Sequence, residues 1–359
     1  MQMLRFSAET SPEGFRRPIR LSFASRRAIR PDMKAVICNK FGPPEDLVIE
    51  ERTDPVANTG EVVVRVHAAA LNFPDLLIIQ DKYQFKPTLP FSPGGEVSGV
   101  VQSVGEGVQS VKPGDRVVGW APFGCFAEKV AFAESMVMPI PDGIPFDVAS
   151  TLLIAYGTTY HALIDRAALK SGETLLVLGA AGGVGLAAVE MGKLLGARVI
   201  ACASSPEKLE VCKARGADAL IDTTSENVRE RLKALAPNGV DVVYDPVGGA
   251  LSEVALRATA WKGRFLVIGF AAGEIPKIPL NLALLKGCSI VGVFWGAFTA
   301  RETARFREGL AELFGWVRDG KLMPRVAKTY KLDEVHKALR DMAERKAIGK
   351  LVLVTDAGV

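Results

Sequence analysis

Apolar residues change their spacing along this chain, and the changes divide it. From Met33 to about Val118 they alternate or cluster in short β-branched blocks. MKAVIC and EVVVRVHAAAL have the period of strands, and GEVSGVVQSVGEGV reads as strand, turn and strand with Gly105 and Gly107 at the bend. Pro113-Gly114 then turns the chain into RVVG. Short strands with close turn signals predict a small rolled or barrel-like sheet.

After about Ser150 the period lengthens. TLLIAYGTTYHALIDRAAL carries apolar residues at helical spacing, and from there strands and helices alternate: TLLVLGA, LAAVEMGKLLGA, ARVIACAS, SPEKLEVCKARGA, ALIDT, NVRERLKALA, VDVVYDPVG, LSEVALRATA, RFLVIGF. That alternation predicts a doubly wound parallel sheet, and the unbroken apolar runs in LLVLGA, VDVVYD and FLVIGF fit strands covered on both faces. Beyond about Gly287 the pattern predicts a strand, CSIVGVFWG, one long amphipathic helix, TARETARFREGLAELFGWVRDG, and a closing strand, KLVLVT.

The 359 residues suffice for two domains, and 48% hydrophobic with 23% charged residues describes a globular chain. A net charge of +4 is too small for the basic footprint of a nucleic-acid binder, and no apolar stretch predicts a membrane span. The five cysteines have neither metal-finger nor redox spacing, which fits thiols in a reducing compartment and a cytoplasmic location. Residues 1–32 stand apart: seven arginines, no lysine and little periodicity. Glu9, Glu13 and Asp32 argue against a transit peptide, so this segment reads as a flexible extension.

The chemistry is concentrated at Gly179-Ala180-Ala181-Gly182-Gly183-Val184-Gly185, between a strand and a helix. Such a turn lets the backbone bend sharply and approach a pyrophosphate, and the helix start offers N–H groups and a positive dipole end. The spacing departs from G-x-G-x-x-G, with Gly182 and Gly185 left to make the close approaches. An NAD site usually carries an acid at the tip of the second strand. Here that tip is Ala203-Ser204-Ser205, followed by Lys208 one turn on. Those donors suit a 2′-phosphate and favour NADPH, while Glu207 leaves an argument for NAD.

The segments LNFPDLL, PGGEVSGVV, VKPGDRVVG, AYGTTYHAL, GAAGGVG, VVYDPVGG and GKLVLV resemble the medium-chain dehydrogenase/reductase superfamily and, within it, the zinc-free quinone oxidoreductases. The resemblance covers residues 33–359. It implies an α/β protein with a discontinuous GroES-like catalytic domain, 33–155 and 290–359, around a Rossmann NADPH-binding domain, 156–289. It also implies a homodimer whose sheet continues across subunits through the strand near CSIVGVF.

The same resemblance assigns roles. Zinc-dependent members carry Cys where this chain has Asn72 and His where it has Gly95, and the third ligand position near Ile154–Gly157 lacks Cys, so no metal is expected. Asn72 and Asp75 match an N-x-x-D turn at the substrate cleft and also suit a helix cap. Tyr83 matches a cleft tyrosine and is the candidate proton donor, while Leu77 replaces a second tyrosine. Around the cofactor the resemblance places Tyr156 and Thr158 under the nicotinamide, Val247, Gly269 and Phe270 at strand ends, and Phe294, Trp295 and Gly296 beside the ring. It gives Arg345 and Lys350 to the adenosine phosphate or pyrophosphate, with Gly182, Gly183, Val184, Gly185, Ser204, Ser205 and Lys208 as above. Thr223 after Asp222 replaces a tyrosine that often touches the 2′-phosphate. The implied function is reduction of a quinone or activated enone by NADPH. The alternatives are an enoyl-thioester reductase and a non-catalytic NADPH-binding protein.

Overall fold

The computed structural model describes residues 33–358. The arginine-rich segment 1–32, read above as a flexible extension, lies outside them.

Two sheets carry the fold. The first has six strands in the order Ala219–Asp222, Arg198–Ala203, Thr174–Val177, Val240–Asp245, Thr259–Val267 and Ser289–Gly292. Every neighbouring pair is parallel. In chain order this is 3-2-1-4-5-6, so the crossover direction reverses beside Thr174–Val177. Ligands of such sheets bind in the crevice beyond the carboxyl ends of the strands at that point. Leu175, Leu176, Val177, Val242, Val243 and Tyr244 are wholly buried, as the unbroken apolar runs predict.

The second sheet is rolled and mostly antiparallel. Its order is Val326–Lys331, Lys350–Val354, Glu61–Ala70, Glu96–Val104, Arg116–Trp120 and Val137–Pro139, with Lys129–Ala133 also pairing on Glu61–Ala70. Register shifts within the Glu61–Ala70 and Glu96–Val104 pair help the sheet to curl. A hairpin of Met33–Ile37 and Val48–Arg52 packs beside it. The last strand, Lys350–Val354, reaches Glu61–Ala70 from the far end of the chain.

The structure departs from the sequence reading in three places. Strand Ser289–Gly292 pairs with Thr259–Val267 and belongs to the parallel sheet, so the Rossmann unit extends past residue 289. The long C-terminal helix is two, Trp295–Arg301 and Thr303–Arg318, broken at Glu302, and the second packs in the core of the parallel-sheet unit through Phe306, Leu310, Leu313 and Phe314. The periodicity of one amphipathic face runs through the break, which hides it from pattern reading. The linking helix from Leu152 to Arg166 contains widened turns, with Gly157 N–H donating to Leu152 O and Ala167 N–H to Ala162 O. Among the described residues no helix is long and apolar enough to cross a membrane.

Candidate active site

The glycine turn joins strand Thr174–Val177 to helix Gly183–Leu194, with Gly182 at the helix cap. Gly179 adopts φ +57°, a left-handed conformation that favours glycine. A Cβ on Gly185 would collide with the Gly179 carbonyl oxygen and stand 2.8 Å from Ala180 Cα, so this position makes the close helix–strand approach. The first helical turn around Gly183, Val184 and Gly185 leaves N–H groups for an anion.

Ser204, Ser205, Lys208 and Arg345 come together, although 137 residues separate Lys208 from Arg345. Lys208 Nζ donates to Ser204 Oγ at 3.1 Å and to the Arg345 carbonyl at 2.9 Å. Ser205 caps helix Pro206–Ala214 by accepting from Lys208 N–H. Arg345, at φ +57°, reaches back to Ala271 O. Hydroxyls and cations thus surround the second strand's tip, where no carboxylate ends the strand. Thr223 accompanies them from the third strand, its hydroxyl donating to Ala203 O.

Beyond the fourth strand, buried Asp245 shapes the next loop. Its Oδ1 accepts the N–H groups of Val247 and Gly248 at 2.8 and 2.9 Å, and its Oδ2 accepts from Ser252 Oγ at 2.5 Å. Val247 thereby faces the glycine turn: a Cβ on Gly179 would stand 2.8 Å from Val247 Cγ2. Gly269 and Phe270 follow the fifth strand, and Phe270 packs near Gly248.

The residues expected beside the nicotinamide separate. Trp295 lies over Gly157, where a Cβ would stand 2.8 Å from the indole Nε1, and its ring packs edge-on to Phe306. That Nε1 is buried without a hydrogen-bond partner among the described residues, an unusual state for an indole N–H. Phe294 is exposed, and Gly296 is half-buried. Thr158 is buried nearby. Tyr156 is different from the sequence expectation: its side chain lies in the core and its hydroxyl donates to Glu190 Oε2 at 2.7 Å. Glu190 is in turn paired with Arg215 at 2.5 Å. Burial pushes the Tyr156 phenol far above its ordinary range, so it supports the helix and offers no acid.

The residues expected at the substrate cleft gather around a cluster of buried polar groups. Asn72 caps helix Phe73–Ile78, and its N–H donates to Asp75 Oδ2 at 2.7 Å. Its side-chain amide turns inward, donating to Glu96 Oε1 at 2.8 Å and accepting from Lys350 Nζ at 2.6 Å. The N-x-x-D turn therefore starts the helix and at the same time turns its amide into the buried cluster. Burial pushes the Asp75 carboxyl up to about 7, against the opposing Asn72 N–H and Lys350. Tyr83 is half-buried beside them, its phenol raised by burial and then by the Asp75 charge, which keeps it a hydrogen-bond donor at neutral pH.

Lys350, which the resemblance gives to a phosphate, joins this cluster. Its ammonium is taken up by protein acceptors, donating to Leu71 O at 2.7 Å, Asn72 Oδ1 at 2.6 Å and Glu96 Oε1 at 3.0 Å. Glu96, which the sequence reading did not single out, completes the cluster. It is wholly buried, and its Oε2 accepts the Ile154 N–H at 2.8 Å. A carboxylate at an inward position of the apolar run GGEVSGVV was the signal available. Among the described residues no three His, Cys, Asp or Glu side chains gather closely enough to hold a metal ion.

A parallel sheet with a phosphate-type glycine turn, its crevice faced by a GroES-like sheet, is the architecture of a medium-chain dehydrogenase/reductase. The "Alcohol dehydrogenase GroES-like domain" family matches residues 58–142, and the "Zinc-binding dehydrogenase" family matches residues 183–315. The quinone oxidoreductase-like protein 2 homolog of Nematostella vectensis is 40% identical over 91% of this chain and 90% of its own length. A mycobacterial protein solved with NADPH superposes at a TM-score of 0.84 with 30% identity, covering 90% of this chain and all of that one. The Escherichia coli quinone oxidoreductase solved with NADPH superposes at 0.83 with 29% identity, covering 89% and 99%. The chain belongs to the quinone oxidoreductase branch of the medium-chain dehydrogenase/reductase superfamily and is an oxidoreductase of that class.

Proposed function

We propose that the chain is an NADPH-dependent reductase of quinones or activated enones that works without zinc. The observation that carries this reading is the Asn72–Glu96–Lys350 cluster. Where zinc-dependent relatives carry a cysteine ligand this chain has Asn72, whose amide is held by Glu96 and Lys350 in a closed cluster. The residues present fit the cofactor: glycines where Cβ atoms would obstruct the turn, hydroxyls and cations at the second strand's tip, and an unpaired indole N–H at the nicotinamide end.

In this reading the helix start at Gly182, Gly183, Val184 and Gly185 binds the pyrophosphate. Ser204, Ser205, Lys208 and Arg345 bind the 2′-phosphate, and the 223 hydroxyl stands close by. Val247, Gly269 and Phe270 border the adenosine–ribose crevice, and Thr158, Phe294, Trp295 and Gly296 enclose the nicotinamide. The bound cofactor supplies the hydride. Asn72 and Asp75 shape the cleft, and Tyr83 donates a hydrogen bond or proton to the substrate oxygen. Rate comes chiefly from orientation.

The test is a panel of quinones, enones and crotonyl-CoA with NADPH and NADH. NADPH oxidation is expected to be fastest with a quinone or enone. Preference for crotonyl-CoA would move the reading to thioester reduction, and tight NADPH binding without turnover would refute catalysis.

The proposed assembly is a homodimer in the cytoplasm. Ser289–Gly292 is an edge strand, and Trp261, Leu280, Leu284 and Leu285 beside it are each more than 70% exposed. An apolar group of this kind around an unpaired edge suits a second copy of the chain. Light scattering should give twice the monomer mass for the native protein and the monomer mass for Leu284→Glu/Leu285→Glu.

A further inference from the structure

Lys350 stands where the cofactor turn meets the substrate cleft. The residue before it, Gly349, donates its N–H to Ala181 O at 2.9 Å and bridges to Gly182. The stem of Lys350 passes Gly183 so closely that a Cβ there would stand 2.8 Å from Lys350 Cδ. Its head lies among Leu71, Asn72 and Glu96, from segments more than 250 residues earlier in the chain. An ammonium has three donors, and this one has three acceptors, so none remains for a phosphate. Glu96 carries the connection onward, through Asn72 to the N-x-x-D turn and through Ile154 N–H to the linking helix.

We propose that Lys350 and Glu96 are positioning residues: the buried pair links occupancy of the cofactor turn to the geometry of the Asn72–Asp75 loop and of the linking helix. The physical ground is the cost of letting go. If the turn moves, the Lys350 stem moves with it, and releasing any acceptor leaves a buried polar or charged group unpaired. A displacement of the turn is therefore passed to the cleft loop, so that filling the turn changes how the substrate is registered against the cofactor. The inference rests on the proposed assignment of the dinucleotide to the glycine turn.

The experiment uses the full chain and 2′-phospho-ADP-ribose, the cofactor lacking its nicotinamide ring, which fills the turn without entering the substrate side. Hydrogen–deuterium exchange is read in residues 71–80, 150–157 and 179–194. In the native protein the probe should slow exchange in all three segments, by about tenfold in the first two. In Lys350→Met/Glu96→Gln, which leaves no charge unpaired, the slowing should persist in 179–194 and vanish in 71–80 and 150–157. Probe affinity should stay within about threefold. Lys350→Gln/Glu96→Gln, likewise neutral but able to keep part of the hydrogen bonding, serves if the first double variant does not fold, and should weaken the slowing in the same two segments.

Turnover supplies a second readout. At saturating NADPH and acceptor, kcat of the double variant should fall by about tenfold while KM for NADPH changes less than threefold, and the isotope effect with deuterated NADPH should rise. Persistent slowing in the variants overturns the proposal, as does a probe affinity that drops more than about tenfold, which would make Lys350 a phosphate ligand. Exchange needs no turnover, so a failed quinone assay leaves this test intact. Failure of the probe to bind the native protein overturns both readings.

Discussion

The two halves of the proposed site are built by different means. The dinucleotide half relies on backbone: a left-handed Gly179, the missing Cβ of Gly185, a helix start and loops ordered by Asp245. The substrate half relies on side chains: an amide, two carboxylates and an ammonium, all buried, brought from three distant stretches of chain. Backbone devices tolerate sequence change at neighbouring positions and hold a ligand shared by many enzymes. A closed side-chain cluster tolerates almost none, because each member satisfies the others.

The contrast is most directly broken by removing one charge from the cluster. Lys350→Met alone leaves Glu96 buried and uncompensated and should cost about 3–5 kcal/mol of stability, read by urea unfolding. Adding Glu96→Gln should return most of that loss, and a double variant no more stable than the single would refute the ion-pair account. Next comes Gly185→Ala, whose methyl must displace the turn. It should cost about 1–3 kcal/mol and weaken NADPH binding by more than tenfold in a fluorescence titration. Unchanged affinity would mean that the turn is not the pyrophosphate site.

Lys208→Ala should have a smaller and more selective effect. A lost charge-assisted contact should lower the ratio of NADPH to NADH specificity constants by about tenfold, with the NADH value little changed. An equal fall for both cofactors would detach Lys208 from the 2′-phosphate.

The smallest effect concerns Asp75. Its carboxyl titrates at 3.8 in the unfolded reference and at about 7 when folded. Between those values the folded protein holds a proton that the unfolded chain has released. Stability therefore falls as pH rises through that window, and the contribution is complete only below it. Asp75→Asn should flatten the slope, changing the difference in Tm between pH 5 and pH 7 by a few degrees. Parallel profiles for the two proteins would remove Asp75 from the account.

The glycine turn and the polar strand tip were legible in the sequence because their devices are local. Gly179 to Gly185 lie between a strand and a helix whose periods can be read directly, and Ser204 and Lys208 occupy one strand tip. The cluster was legible only in part. Asn72 and Asp75 sit three apart, but nothing local ties them to Glu96 or Lys350, and a lysine near a glycine reads equally well as a phosphate ligand. Tyr156 was misplaced for a related reason: its spacing fixes the helix and says nothing of Glu190, 34 residues on, which turns its hydroxyl into the core. The break at Glu302 escaped because both helices bury the same face.

The position of Lys350–Val354 in the rolled sheet bears on how the molecule is made. This strand lies against Glu61–Ala70, about 280 residues earlier in the chain. During synthesis at 5–20 residues per second, the early strands leave the ribosome roughly a quarter to a full minute before their partner. Glu96 spends that interval without its ammonium, and one flank of Glu61–Ala70 remains open. The six parallel strands, contiguous and all made by Gly292, can assemble meanwhile. The nascent catalytic half is thus the stage at which chaperones have most to protect, and truncation within the last ten residues should leave a folded nucleotide-binding unit attached to an unfinished sheet.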